Sequence, residues 1–310
     1  VDEVSLMDLG FVTYYSPEIV EFASESGFDT LELFVNRGSS LDLDALTKDD
    51  IRRVAEHVGS LGLSIGTLSC STNHLAGDPA TRADNNAYFA KALRLCRAFG
   101  TSIMTTNTWG DPEITPPENV KTYRKVFAEF AKVAESEGVV IAMENCPHTT
   151  LYPYRVGNIG YSPEMWDALF DAVPSPSIGL EFDPSHLYWQ GIGIAENIRA
   201  YGKRIFSFHA KDCEILPEGL NKYGILGRQF GAVSPFDTGW WRYRLPGLGQ
   251  IEWKDVFRAL YDIEFAGPMI IEHEDPVFGG DRSEAGLKLG PKTKTGLRLG
   301  LQNLKRFIAS

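Results

Sequence analysis

Four apolar runs in this 310-residue chain each end in a side chain that can hold a metal ion or move a proton. Ile178-Gly-Leu-Glu-Phe leads into Asp183, with Pro184 next and His186 three residues beyond the acid. Val139-Val-Ile-Ala-Met leads to Glu144, Arg204-Ile-Phe-Ser-Phe to His209, and Pro268-Met-Ile-Ile to Glu272. Short apolar runs of this kind are buried strands, and a proline, which has no N–H for the ladder, closes the Asp183 strand. A carboxylate carried into such an interior must be paired, coordinated or protonated. For Glu144 and Asp183 the competing reading is an internal salt bridge; for His209 it is a hydrogen-bonded core histidine. Taken together, three carboxylates and one imidazole make a hard, mostly oxygen donor set. It suits Mn²⁺, Mg²⁺ or Co²⁺ better than a thiolate-rich structural zinc. Such an ion grips adjacent sugar oxygens and polarises a carbonyl, so that the neighbouring C–H becomes acidic. Glu144 and Glu272, expected across the mouth from each other, are the pair to remove and return the proton. In Ile-Ile-Glu272-His-Glu274, alternation turns Glu272 and Glu274 to one side; Glu272 is the expected ligand, with Glu274 or His273 behind it.

Eight strands are needed to bring such ends together, and the chain supplies the alternation. Strands are expected at Ser5–Leu9, Thr30–Val35, Leu63–Leu68, Ser102–Thr106, Val139–Met143, Ile178–Phe182, Ile205–His209 and Met269–Ile271. Helices are expected between them. Ser16-Pro17 opens one ended by Gly27, and Thr47-Lys-Asp-Asp50 caps another through Ile51, Val54, Ala55 and Val58. Others are expected near 79–99, 119–137, 162–172, 194–201, 252–265 and 297–308. This is the pattern of a single-domain (β/α)₈ TIM barrel over residues 1–310. About forty residues, Cys213–Gln250, show no periodic element and read as a long active-site loop insertion. An open doubly wound sheet would need a glycine-rich phosphate turn after its first strand, and Gly10-Phe-Val-Thr-Tyr-Tyr is not one.

The formal charge of −11 and a pI near 5.1 argue against nucleic-acid or membrane-surface partners. No basic-then-apolar leader or membrane-length apolar run is visible, and the four cysteines lack CxxC spacing, so the expected location is the cytoplasm with reduced thiols. Of the six histidines only His57 falls in an expected helix; His74, His148, His186, His209 and His273 fall at or beyond strand ends, as a polar functional rim would have them.

The motifs Met-Glu144-Asn, Phe-Asp183-Pro-Ser-His186, Phe-His209-Ala-Lys-Asp and Ile-Glu272-His-Glu resemble those of the xylose-isomerase-like superfamily of sugar isomerases and epimerases. The resemblance spans essentially the whole chain. It implies a divalent metal, commonly Mn²⁺, on Glu144, Asp183, His209 and Glu272. It further implies proton shuttling by Glu144 and Glu272, as in ketose 3-epimerases, and substrate contact by His186. Those epimerases carry an arginine six residues after the histidine, where this chain has Ile215. Lys211 beside the metal motif, and Arg228 and Trp240 in the insertion, are further expected substrate contacts. A related branch, the 3-oxo-glycoside lyases that include catalytic subunits of C-glycoside deglycosidases, uses a base for which His148 is the candidate. Expected partners are therefore a small sugar or sugar glycoside, with a homo-oligomer or a small partner subunit as further possibilities. Metal-dependent apurinic-site nucleases share the superfamily but need an Asp-x-His pair, which residues 212–250 lack. A non-catalytic, metal-stabilised sugar-binding subunit is the remaining reading.

Overall fold

Proline marks most of the helix starts. A computed structural model describes residues 7–151, 154–231, 238–279 and 286–308. In chain order it begins with β1 (Leu9–Thr13), α1 (Pro17–Ser26), β2 (Thr30–Phe34), α2 (Lys48–Ser60), β3 (Ser64–Ser69), α3 (Pro79–Leu95) and β4 (Ile103–Thr106). Next come α4 (Pro116–Glu137), β5 (Val140–Glu144), a hairpin of β6 (Thr149–Leu151) and β7 (Tyr154–Val156), α5 (Pro163–Ala172), β8 (Ile178–Phe182) and α6 (Pro184–Gln190). The chain continues through α7 (Ile194–Tyr201), β9 (Ile205–His209), β10 (Asp212–Ile215), α8 (Pro217–Tyr223), β11 (Trp241–Arg244), α9 (Trp253–Asp262), β12 (Met269–Ile271) and α10 (Pro291–Ile308). A first-turn proline has its φ preset, and its missing N–H is one the first turn leaves unbonded. Helix α2 starts without proline, on a capping box between Thr47 and Asp50.

Strands β1, β2, β3, β4, β5, β8, β9 and β12 form a closed parallel barrel, sealed where Leu9–Phe11 pair with Met269–Ile271. This is the expected (β/α)₈ architecture. Helices bury one face on the strands: in α4, Tyr123, Phe127, Phe130 and Ala134 are buried, and the Tyr123 hydroxyl meets Met143 Sδ at 3.3 Å. Each such large apolar side chain contributes about 1.5–3 kcal/mol. Inside the barrel, Gly179 is required by space: a Cβ there would lie 2.2 Å from the Arg204 carbonyl and 2.4 Å from the Phe206 ring.

The first strand lies later than expected, at Leu9–Thr13; residues 5–6 of the expected span fall outside the described residues. Gly10 sits within the strand, where a Cβ would be 2.5 Å from the Thr30 carbonyl. The last helix begins at Pro291, six residues before the expected start, because its first turn is polar and hides the period. The 213–250 insertion is not without structure. β10 and β11 pair antiparallel from Asp212↔Arg244 to Ile215↔Trp241, and α8 lies between them. Trp240, Trp241 and Tyr243 are buried, and Trp241 stacks on Trp189 of α6 with ring centroids 5.0 Å apart. Two four-residue strands separated by 25 residues leave no local period to read. Residues 232–237 of the insertion lie outside the described residues.

Asp212 ties this hairpin to the barrel. Its buried carboxylate accepts from the backbone N–H groups of Cys213, Gly247, Gly249 and Ile251, and from Trp253 Nε1 at 2.8 Å. Asp212→Ala strands these donors, and chemical denaturation is expected to show a loss of about 3 kcal/mol or more. A loss under about 1 kcal/mol would mean that water replaces the carboxylate.

Candidate active site

Parallel strands put every C-terminal end on one face of the barrel, and the side chains gather there. Glu144 is the last residue of β5 and His209 the last of β9; Asp183 follows β8 and Glu272 follows β12. Asp183 is also the N-cap of α6: its Oδ1 accepts from Ser185 N at 2.8 Å and Ser185 Oγ at 2.6 Å, which aims Oδ2 at the mouth. His209 Nδ1 lies 3.4 Å from Glu144 Oε1, 3.5 Å from Glu272 Oε2 and 3.9 Å from Asp183 Oδ2. His186, one turn into α6, brings Nε2 within 3.3 Å of Glu144 Oε1 and 3.4 Å of Asp183 Oδ2.

Lys211 sits among the acids. Its buried ammonium contacts Glu272, meets Glu274 Oε2 at 2.9 Å, Asp183 Oδ2 at 3.1 Å and His186 Nε2 at 3.3 Å, and lies 4.4 Å from the Tyr243 ring centroid. Burial favours neutral lysine, yet Asp183, Glu272 and Glu274 hold its pKa well above the ordinary value. Burial alone would raise Glu272; Lys211 overrides it and draws the carboxyl down to about 2. For Glu274 burial wins over the same ammonium, and its pKa is raised. Glu144, which burial would also raise, is held well below its ordinary range by His186 and His209. As alternation requires, Glu272 and Glu274 share a side, while His273 turns towards α10, where Gly296 leaves room for its ring.

Behind Glu144 runs a chain of donors. Asn107 Nδ2 donates to Glu144 Oε2 at 2.9 Å, Ser71 Oγ donates to Asn107 Oδ1 at 2.6 Å, and Trp109 Nε1 donates to Ser71 Oγ at 3.2 Å. Trp109 stacks on His148 at 4.3 Å between centroids, and both adopt positive φ (48° and 47°), a strained backbone held by its surroundings. Asn158 fixes the loop that carries His148, donating to the Glu144 and Cys146 carbonyls at 3.0 and 2.7 Å. Ligand-type atoms of Glu144, Cys146 and His148 lie within 4.8 Å of one another. Burial lowers the His148 pKa, so this imidazole is a neutral base at neutral pH.

A second polar layer lies beneath, inside the barrel. Glu32 accepts from Thr67 Oγ1 at 2.6 Å and Thr105 Oγ1 at 3.0 Å, and Ser207 Oγ donates to Glu181 Oε1 at 3.0 Å. His209 Nε2 reaches this layer, 3.3 Å from Glu181 Oε1 and 3.7 Å from Glu32 Oε2. Burial and the Glu32 charge push the Glu181 carboxyl well above its ordinary range.

The structure thus gathers Glu144, Asp183, His186, His209, Lys211 and Glu272, with His148 on the adjoining loop. It does not bring Arg228 or Trp240 to this cluster. Arg228 lies over the Tyr223 ring, and Trp240 packs edge-on to Trp189 and Trp241. The insertion instead contributes Tyr243, whose hydroxyl lies 3.0 Å from His186 Nδ1. His74 is no rim histidine either: Phe89, Phe127 and Phe130 surround it, Thr106 Oγ1 lies 2.8 Å from Nε2, and burial lowers its pKa to about 3.

The donor set fits a divalent cation. Buried Asp183 Oδ2 and both His209 ring nitrogens lack an aligned hydrogen bond. Ligand atoms about 2.1 Å from one ion lie roughly 3–3.5 Å apart, close to the spacing of the His209 contacts. Asp183, Glu272 and Glu274 also face a single ammonium, an imbalance that a dication relieves.

Residues 20–305 match the model of the xylose isomerase-like TIM-barrel family, and the chain belongs to that family. The uncharacterised protein YfiH of Bacillus subtilis is 26% identical over 94% of this chain and 95% of its own. An inosose isomerase of Bacillus velezensis is 25% identical over 66% of this chain and 65% of its own. Among solved structures, a D-psicose 3-epimerase in the presence of D-fructose superposes with a TM-score of 0.72 at 16% identity, covering 98% of this chain and 100% of that one. The IolI protein with a bound zinc atom gives 0.68 at 21% identity, covering 97% and 96%. No helix among the described residues is long and apolar enough to cross a membrane.

Proposed function

We propose that this protein is a divalent-metal-dependent sugar isomerase or epimerase that abstracts a proton beside a sugar carbonyl. The observation that carries the proposal is the ring of Glu144, Asp183 and Glu272 oxygens 3.4–3.9 Å from His209 Nδ1. These four side chains would hold the ion, Mn²⁺ by donor hardness, and the zinc in IolI and the inosose isomerase relative support the same class. When bound, the ion would polarise the carbonyl and lower the pKa of the adjacent C–H. The chain's own residues do the rest. Glu272 and Glu144, both ionised at neutral pH, accept and return the proton. Lys211 and His186 orient the substrate oxygens, and Asn107 keeps Glu144 from turning away.

One observation favours a second reading, elimination from a 3-oxo-glycoside. His148 Nε2 is buried without a hydrogen-bond partner on the loop after Glu144, and its neutral ring can take a proton. Proton NMR in D₂O with free ketoses and 3-oxo-glycosides, before and after chelation, tests both readings. Metal-dependent deuterium entry beside a ketose carbonyl, with isomer appearing, is the expected result. Release of aglycone with loss of H-2 would assign the lyase. Bound metal with no exchange on any substrate would leave a sugar-binding subunit, and failure to bind any divalent ion would overturn the proposal.

A further inference from the structure

The Glu32–Glu181 layer has no part in the proton transfer above, yet it buries two ionisable groups inside the barrel. Both carboxyls are at most 2% exposed, at a level where barrels of this type usually pack branched apolar side chains. We propose that Glu181, backed by Glu32, is a positioning residue: it holds the Nε2 edge of His209, so that Nδ1 is the nitrogen presented to Glu144, Asp183 and Glu272. The proposal rests on the reading of those four residues as ion ligands.

The carboxyls cannot swing away, which makes them a fixed cradle. Glu32 is held on both oxygens, by Thr67 and Thr105, and Glu181 is held by Ser207. The His209 ring is clamped between two acidic layers, Nε2 at 3.3 and 3.7 Å from the lower one and Nδ1 at 3.4–3.9 Å from the upper. The Nε2 contacts are close but not aligned as hydrogen bonds, so the ring is caged rather than pinned. An imidazole that gives one nitrogen's lone pair to an ion carries hydrogen on the other, and that N–H needs an acceptor. The Glu181 and Glu32 carboxyls stand 3.3 and 3.7 Å from Nε2, placed to accept from it. His209 is 3% exposed, so water does not readily replace them. A layer serving only to fill space would be met as well by leucine.

The test uses the Zn²⁺-loaded protein labelled with ¹⁵N-histidine, together with Zn²⁺ affinity measured against a chromophoric chelator. In the wild type, His209 is expected to show a metal-shifted Nδ1 and a protonated, exchange-protected Nε2. Glu181→Leu, which keeps volume but removes the acceptor, is expected to weaken Zn²⁺ binding roughly 10- to 100-fold and expose Nε2–H to exchange. Glu181→Gln, which keeps a carbonyl acceptor, is expected to retain both properties. Glu32→Gln, which removes the support, is the second variant should leucine prevent folding. Wild-type affinity and protection in Glu181→Leu would overturn the proposal, and so would a wild-type ring bound to zinc through Nε2. A wild-type protein that binds one Zn²⁺ without using His209 would overturn it while leaving an ion site in place; one that binds no Zn²⁺ would remove the underlying reading as well.

Discussion

Glu272→Gln is expected to slow deuterium exchange beside the substrate carbonyl by about 10²–10⁴-fold at saturating metal, the range for losing a positioned general base. The isosteric amide keeps one neutral oxygen for the ion, so saturating metal separates loss of the base from loss of a ligand. Glu272 is suited to the role because it is ionised: Lys211 draws it down to about 2, against the upward push of burial. That same ammonium makes it a weak base until Lys211 turns towards another oxygen. Two alternatives stand within reach, on Asp183 and on Glu274, and a substrate oxygen would add a third. Glu274→Gln is the control. If Glu274, whose pKa burial raises, is the true proton carrier, this variant rather than Glu272→Gln takes the large loss. Exchange at the wild-type rate in Glu272→Gln would remove Glu272 from the chemistry.

The barrel and the four strand-end side chains proposed to hold the ion were legible because each depends on local signals. An apolar run of four or five residues ending in an acid or histidine names both a strand and what the strand carries, and prolines and capping residues separate the strands with helices. The polar layer beneath them was equally written in the sequence, in Thr30-Leu-Glu32-Leu-Phe34 and Ile178-Gly-Leu-Glu181-Phe182. Both glutamates interrupt runs as apolar as the one before Glu144, and the cost of burying a bare charge applies to them just as strongly. What hid them is mid-strand position: a strand-end acid points to a mouth, whereas a mid-strand acid looks like the solvent face of an amphipathic strand until the barrel closes around it. Tyr243 and Asn107 could not be found this way. Tyr243 reaches His186 only because β11 pairs with β10 across 25 intervening residues. Asn107 is one polar residue in a loop of many, and its partner becomes evident only when β4 lies beside β5. The histidine count misled for His74, since a position beyond a strand end says nothing of direction, and that ring turns into an aromatic pocket.

Lys211→Met tests the charge balance from the other side. With 1% exposure the ammonium is shielded from bulk solvent; it is matched by Asp183, Glu272 and Glu274, and it lies over the Tyr243 ring. Methionine is close to the same length but leaves buried Asp183, half-buried Glu272 and the more exposed Glu274 without their counter-ion. Removing one partner of a buried ion pair costs about 3–5 kcal/mol, so the metal-free variant is expected to melt roughly 10 °C below the wild type. Excess Mn²⁺ should narrow that gap, because a dication held by Asp183 and Glu272 supplies the charge the lysine took away. Lys211→Arg should not restore turnover: a planar guanidinium cannot occupy the point at which three carboxylates and His186 converge. Two outcomes are informative in opposite ways. If metal-free Lys211→Met melts with the wild type, the acids shed their charge by taking up protons, and Lys211 is not their counter-ion. If the variant is destabilised but Mn²⁺ does nothing to recover it, the ammonium is the counter-ion and these carboxylates do not hold the metal, so the ion would have to be sought on a different set of side chains.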